Sequence, residues 1–161
     1  MHLVIAALIL GGFFLAIPRT ETGEQTVLDM TKPRGIRLNN PGNIRHGDNW
    51  RGMAPDQPDQ SFVYFTDPRF GIRAMVRILR SYQRRGLNTV SEIINTWAPP
   101  VENDTGAYVA HVARRMGATP STPVDLDDRD QVVALLEAIT LHENGQQPYN
   151  RATFEQGYEL A

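Results

Sequence analysis

The sequence predicts a mainly α domain of the α+β class, with a small β element near its start and an apolar helix ahead of it. Three observations carry that prediction. Several amphipathic segments open on a capping side chain and close on Gly or Pro. Residues 35–53 (GIRLNNPGNIRHGDNWRGM) are dense in Asn and Gly, and residues 61–65 (SFVYF) form a brief β-like run. Residues 3–17 (LVIAALILGGFFLAI) carry no charge.

The apolar segment comes first. As a helix it spans about 22 Å, against roughly 30 Å of hydrocarbon, which is short for a permanent membrane crossing. Its start, Met1-His2, lacks the basic residues of a signal peptide, and Phe14-Leu15-Ala16 makes a poor cleavage site. The expected reading is a weak, uncleaved anchor over residues 1–18, softened by Ala6, Ala7, Gly11, Gly12 and Ala16, with a cleaved signal peptide or a buried N-terminal helix as the alternatives. Such a segment holds a protein on the periplasmic face of the inner membrane and later lets it go. Residues 19–34 are polar and read as a tether. Residues 35–161 have the texture of one domain without internal repeats.

Within that domain, Asn and Gly in 35–53 accept left-handed backbone and predict turns and short strands. Asp67-Pro68 opens a helix whose core face is Ile72, Met75, Val76, Leu79 and Tyr82, and Gly86 stops it. Arg73, Arg77, Arg80 and Arg84 line another face, read as solvated or drawn to an anionic wall or headgroup surface. Thr89-x-x-Glu92 is a capping box before a short helix that ends at Pro99-Pro100. Asp104 or Thr105 opens a further helix through Tyr108, Val109, Val112 and Met116, closed by Gly117. Asp127-Asp128 opens another, with Val132, Leu135, Leu136 and Ile139 inward, running to His142-Glu143 before Gly145 and Pro148. Residues 149–161 predict one last short helix.

Composition excludes several functions. The chain has 161 residues, with 16 Lys+Arg against 18 Asp+Glu and a formal net charge of −2, unlike a dedicated nucleic-acid binder. The absence of cysteine excludes a disulfide framework, a thiolate metal site, a cysteine nucleophile and a thiol switch. His2, His46, His111 and His142 lie far apart, and His142-Glu143-Asn144 lacks the second His a zincin needs, so no metal is expected. No serine sits in a Gly-x-Ser-x-Gly context, and no phosphate loop follows a strand, so no cofactor is expected either.

Carboxylates remain. Glu143 follows Leu136 and Ile139 at helical spacing, which places it at the border of core and cleft, where partial desolvation suits a general acid. A negative charge at a helix C-terminus is unfavourable by the dipole, so its presence asks for a reason. Glu102, between Pro100 and the next helix cap, is the second candidate, and Asp48 reads as a turn former. Asn39, Asn40, Asn43 and Asn49 with Trp50 suit a sugar cleft, with amides for N-acetyl and hydroxyl groups and an indole for a pyranose face, or else plain turn chemistry. Trp97 and Tyr108 read as half core, half cleft.

The blocks GIRLNNPGNIR (35–45), WRG (50–52), FTDPRFGIRA (65–74), WAPPVENDTGAY (97–108) and HENGQQPY (142–149) resemble a family of phage and prophage proteins. Members of that family are described as virion structural proteins or as cell-wall-degrading enzymes. Asp67-Pro, Trp97-Ala-Pro-Pro and Glu102-x-x-Thr-x-x-Tyr108 are also similar in order to blocks of soluble lytic transglycosylases. Glu143-Asn-Gly-Gln-Gln-Pro148 is similar to their catalytic E-S-G-x-x-P, although that block comes first there and last here. With the apolar segment, the whole resembles a signal-anchor-release endolysin of a phage infecting Gram-negative bacteria.

The resemblance implies a lysozyme-like, monomeric peptidoglycan glycosidase that cuts between MurNAc and GlcNAc. Glu143 is then the general acid, and Glu102 its second carboxylate or a structural partner. Asn39, Asn40, Asn43, Trp50, Trp97, Tyr108 and Tyr149, which closes the last block, are the expected sugar-binding set. The expected partners are glycan strands and, through residues 3–17, the inner membrane, with no nucleic acid. The alternative is a non-catalytic virion or peptidoglycan-binding protein.

Overall fold

Helix starts in this chain are set by short polar side chains that replace the missing partners of the first amides. A computed structural model describes residues 28–100 and 104–161. The expected anchor 1–18, the tether up to residue 27 and Glu102 lie outside the described residues. Among those described, no helix is long and apolar enough to cross a membrane.

Helix α1 (Arg34–Arg37) is a single turn that follows Pro33. Helix α2 (Pro68–Gln83) begins where the Asp67 side chain accepts from the Arg69 amide, with Pro68 in the first turn. In α3 (Val90–Trp97) the Thr89 hydroxyl and the Glu92 carboxylate cap each other's amides reciprocally. Asp104 caps α4 (Thr105–Arg115), Asp128 caps α5 (Arg129–Asn144) and Asn150 caps α6 (Arg151–Glu159). The mainly α class stands, and the expected core faces of α2, α4 and α5 are buried.

Packing follows from those faces. Helix α2 lies along α6, α3 pairs with α4, and α5 touches α4, α6 and α1. Ile72, Met75 and Leu79 of α2, Leu135, Leu136 and Ile139 of α5, Phe65 and Phe154 share one buried cluster.

The expected β element is reduced to isolated antiparallel bridges, Arg45 with Phe62 and Met53 with Phe65. Side-chain amides take the place of a ladder. Asn40 donates to the carbonyls of Ile44 and Val63 and accepts from the Ile44 amide. Gln57 donates to Ala54 and Tyr64 carbonyls and accepts from the Tyr64 amide. Backbone groups satisfied this way need no neighbouring strand. Part of the Asn-rich segment is also the helical turn α1 rather than loop.

The arginine stripe on α2 is not a bare solvated face. Arg73 Nε donates to the Leu160 carbonyl at 2.9 Å, Arg77 donates to that of Ala161 at 3.3 Å, and Arg80 lies over the Tyr158 ring. These cations hold the end of α6 against α2. Between the two helices, a Cβ on Gly157 would collide with the side chain of Ile72. Gly157→Ala is therefore expected to lower the unfolding free energy by about 1–3 kcal/mol through overpacking. Urea denaturation reads this directly, and an unchanged midpoint would show that the seam can yield.

Candidate active site

Glu143 occupies the last turn of α5, one turn beyond the buried Ile139, so helical spacing carries it from the core to the edge of a groove. A carboxylate there meets the negative end of the helix dipole and partial burial together. Three neutral donors compensate. The Tyr108 hydroxyl donates to Oε1 at 2.9 Å, the Trp97 indole N–H donates to Oε1 at 3.2 Å, and Asn43 Nδ2 donates to Oε2 at 2.9 Å. They come from α4, from the last residue of α3 and from the loop after α1.

Each donor is itself positioned. Asn43 takes a left-handed backbone with φ 49°, a conformation that Asn tolerates better than most residues. The neighbouring Asn144 donates to the carbonyls of Pro41 and Thr140, tying the loop to the end of α5. Gly42 lets the loop approach Trp97, because a Cβ there would stand 2.7 Å from the indole. Gly145 in left-handed conformation, φ 68°, then ends α5 directly after the pair Glu143-Asn144.

Tyr108 is buried and stacked on His142, with ring centroids 3.6 Å apart and planes 11° from parallel. Burial, then the charge of Glu143 and the bond to it, push the phenol far above the ordinary tyrosine range, so it stays a donor. His142 Nδ1 lies 2.9 Å from His111 Nδ1, so a single proton serves that contact. Burial and then the charge on His111 hold His142 below the usual histidine range, while Glu143 opposes them. Burial and then Arg114 and Arg115 lower His111.

Glu143 is half-buried in a groove of about 460 Å³, whose walls include Arg34, Asn43, Phe62, Tyr82 and Trp97. Both acceptor directions of Oε1 are occupied by Tyr108 and Trp97, whereas among the described residues Oε2 has Asn43 alone. Oε2 is thus the oxygen with room to hold or release a proton. Among the described residues Glu143 is the one carboxylate lining this groove. No three His, Asp or Glu side chains among them are grouped as a metal site needs.

No family model matches the chain. It is similar to "Protein P5" of Pseudoalteromonas phage PM2, with 38% identity over 131 residues, which are 78% of this chain and 80% of that protein. The chain belongs to the P5 family. In this P5-family member, the described residues bring Glu143 together with Asn43, Trp97 and Tyr108.

Other expected sugar contacts are placed elsewhere. Asn40 is fully buried and its amide is committed to backbone groups, so it shapes the loop and meets no ligand. Asn39 donates to the Phe65 carbonyl in the same role. Trp50 is half-buried against the core and does not line the groove. Tyr149 packs edge-on against Phe154, and burial followed by the charge of Asp67 pushes its phenol up to about 12. Residues missed by sequence reasoning are Asn144, Gly42, the His111–His142 pair, Arg34 and Phe62. Asn144 and His142 stood inside the HENGQQPY block, which was the available signal.

Two pH effects follow. A tyrosine whose folded-state pKa is raised stabilises the fold below about pH 10 and loses that contribution as pH rises further. Tyr108→Phe should therefore leave the native absorbance titration near pH 10 unchanged in amplitude, and should flatten the alkaline loss of stability. Histidines with lowered folded-state values contribute stability above about pH 6.5 that is lost as pH falls. His142→Asn should shrink the acid-side decline of the melting temperature relative to wild type.

Proposed function

We propose that this chain is an endolysin-type phage enzyme that cleaves glycosidic bonds between MurNAc and GlcNAc in bacterial peptidoglycan. The observation that carries the reading is Glu143 at the groove, with Oε1 doubly bonded by neutral donors and Oε2 still able to carry a proton. The mainly helical body, with the carboxyl at the edge of a cleft, supports a lysozyme-like architecture.

In this reading the protonated Glu143 gives its Oε2 proton to the bridging oxygen as that bond breaks and positive charge develops at the anomeric carbon. The carboxylate left behind is the species that Tyr108, Trp97 and Asn43 stabilise. Two endings are chemically open. Water attacks, assisted by a second carboxylate, and leaves a reducing end; or Glu143 takes back a proton from the sugar's own hydroxyl, which closes an anhydro ring. A single carboxylate on the described groove supports the second ending. Trp97, half-exposed beside Glu143, offers an apolar face for a pyranose. Residues 3–17 serve as the inner-membrane anchor from which the monomeric enzyme is released to the periplasm.

The test is digestion of purified sacculi by the full chain, with mass spectrometry of the soluble fragments. Anhydro ends identify the lyase scheme, reducing ends hydrolysis, and free stem peptides an amidase. Glu143→Gln should cut turnover at least about 100-fold, as expected for loss of a general acid. Asn43→Ala should cut it about tenfold with folding retained, the loss of one hydrogen bond to a charged group. Full activity in Glu143→Gln overturns the assignment. Sacculus binding by wild type without any soluble product favours a scaffolding protein of the virion.

A further inference from the structure

We infer that Arg34 forms an anion subsite in the same groove, taking a carboxylate of the peptide stem, so that glycan with free stem carboxylates is preferred over glycan whose carboxylates are masked as amides. The inference rests on the glycan-cleaving reading above and specifies its substrate.

The guanidinium of Arg34 lies over the Phe62 ring, with its central carbon 3.5 Å from the centroid. Stacking of this kind occupies the flat face of the cation and leaves its N–H edges available to a planar acceptor such as a carboxylate. The platform is fixed. Phe62 is buried, its amide donates to Asp59, and it bridges to Arg45. Arg45 itself comes within 5.0 Å of the same ring.

Among the described residues no carboxylate stands within ion-pair distance of Arg34. Asp59 is near enough to feel it. Its carboxyl is held low, against the effect of burial, by the Ser61 and Phe62 amides and then by Arg34 and Arg37. The oxygen that receives those two amides, Oδ1, is already occupied. Arg34 therefore keeps its bidentate capacity while standing on the groove wall.

Position relative to the reacting bond also fits. Asn43 touches Glu143, and Arg45, which bridges to Phe62, is two residues further along, no more than about 7 Å of extended chain. Arg34 and Glu143 line one continuous groove. A sugar seated at Glu143 thus shares its groove with the Arg34 cation, which is where its stem substituent would meet it. The stem peptide of wall glycan ends in carboxylates, the charged planar acceptor that suits a guanidinium, whereas a stem with those groups amidated offers only neutral oxygens.

The experiment compares the full chain with Arg34→Gln and Arg34→Lys on two substrates from one preparation: peptide-bearing strands, and the same strands with their carboxylates converted to neutral amides. New chain ends are counted and kcat/KM is taken for each. Wild type should prefer the unmodified strands by about tenfold, the scale of one charge-assisted bidentate contact, mainly through KM. Arg34→Gln should bring that ratio to about one, Arg34→Lys should keep part of it, and salt should erode it in wild type. Melting temperatures of the variants confirm folding. A wild-type ratio near one, or a ratio untouched by Arg34→Gln, overturns the subsite while leaving the glycosidase reading intact. If wild type cleaves neither substrate, the glycosidase reading fails and the subsite falls with it.

Discussion

A carboxylate at the negative end of a helix, half removed from water, is the constraint around which the rest of this structure is arranged. Left alone, Glu143 would face both the helix dipole and the loss of hydration. The fold answers by converging three uncharged donors on it, from segments 35, 46 and 100 residues away in the chain. Hydrogen bonds to a charged group are each worth about 1.5–3 kcal/mol, the same scale as the strain of about 1–3 kcal/mol for one residue in left-handed backbone. Asn43 can hold its unusual conformation because Asn tolerates left-handed backbone and the bond it makes there offsets the strain.

The second layer of the site keeps those donors in one protonation state. Tyr108 is pressed between burial and a carboxylate, so its hydroxyl remains a donor through the neutral range. His142 covers its ring and is in turn engaged by His111. The loop bearing Asn43 is held from the other side by Asn144, the residue next to Glu143. One dipeptide at the end of α5 therefore supplies both the carboxyl and the clamp that positions its partner. This arrangement explains why the short segment 142–145 carries so much of the local geometry.

How much of this was legible in the sequence varies with the range of the interaction. Helices α2 to α5 were legible because their caps are local: Asp67-Pro68, the Thr89/Glu92 pair, Asp104 and Asp128 each act within three residues. The β element was over-read, because Asn40 and Gln57 satisfy backbone groups that alternation alone assigns to a ladder. Asn39 and Asn40 have the right chemistry for sugars, but their amides point into the protein, and composition carries no direction. Glu143 stood out through a local contradiction, a negative charge at the wrong helix end. Arg34 on Phe62 left no trace, since nothing periodic links a helical turn to a loop residue far along the chain.

The seam between α2 and α6 has a consequence for how the polypeptide comes into being. Arg73 finds its acceptor 87 residues downstream, and Ile72 is covered by Gly157 on the same late helix. During synthesis the apolar stripe of α2 emerges long before the element that shields it. Contacts of such long range slow folding and leave greasy surface open in the meantime. A ribosome-bound intermediate of this chain thus carries an apolar face uncovered until α6 is made, which makes that interval the natural moment for chaperone capture.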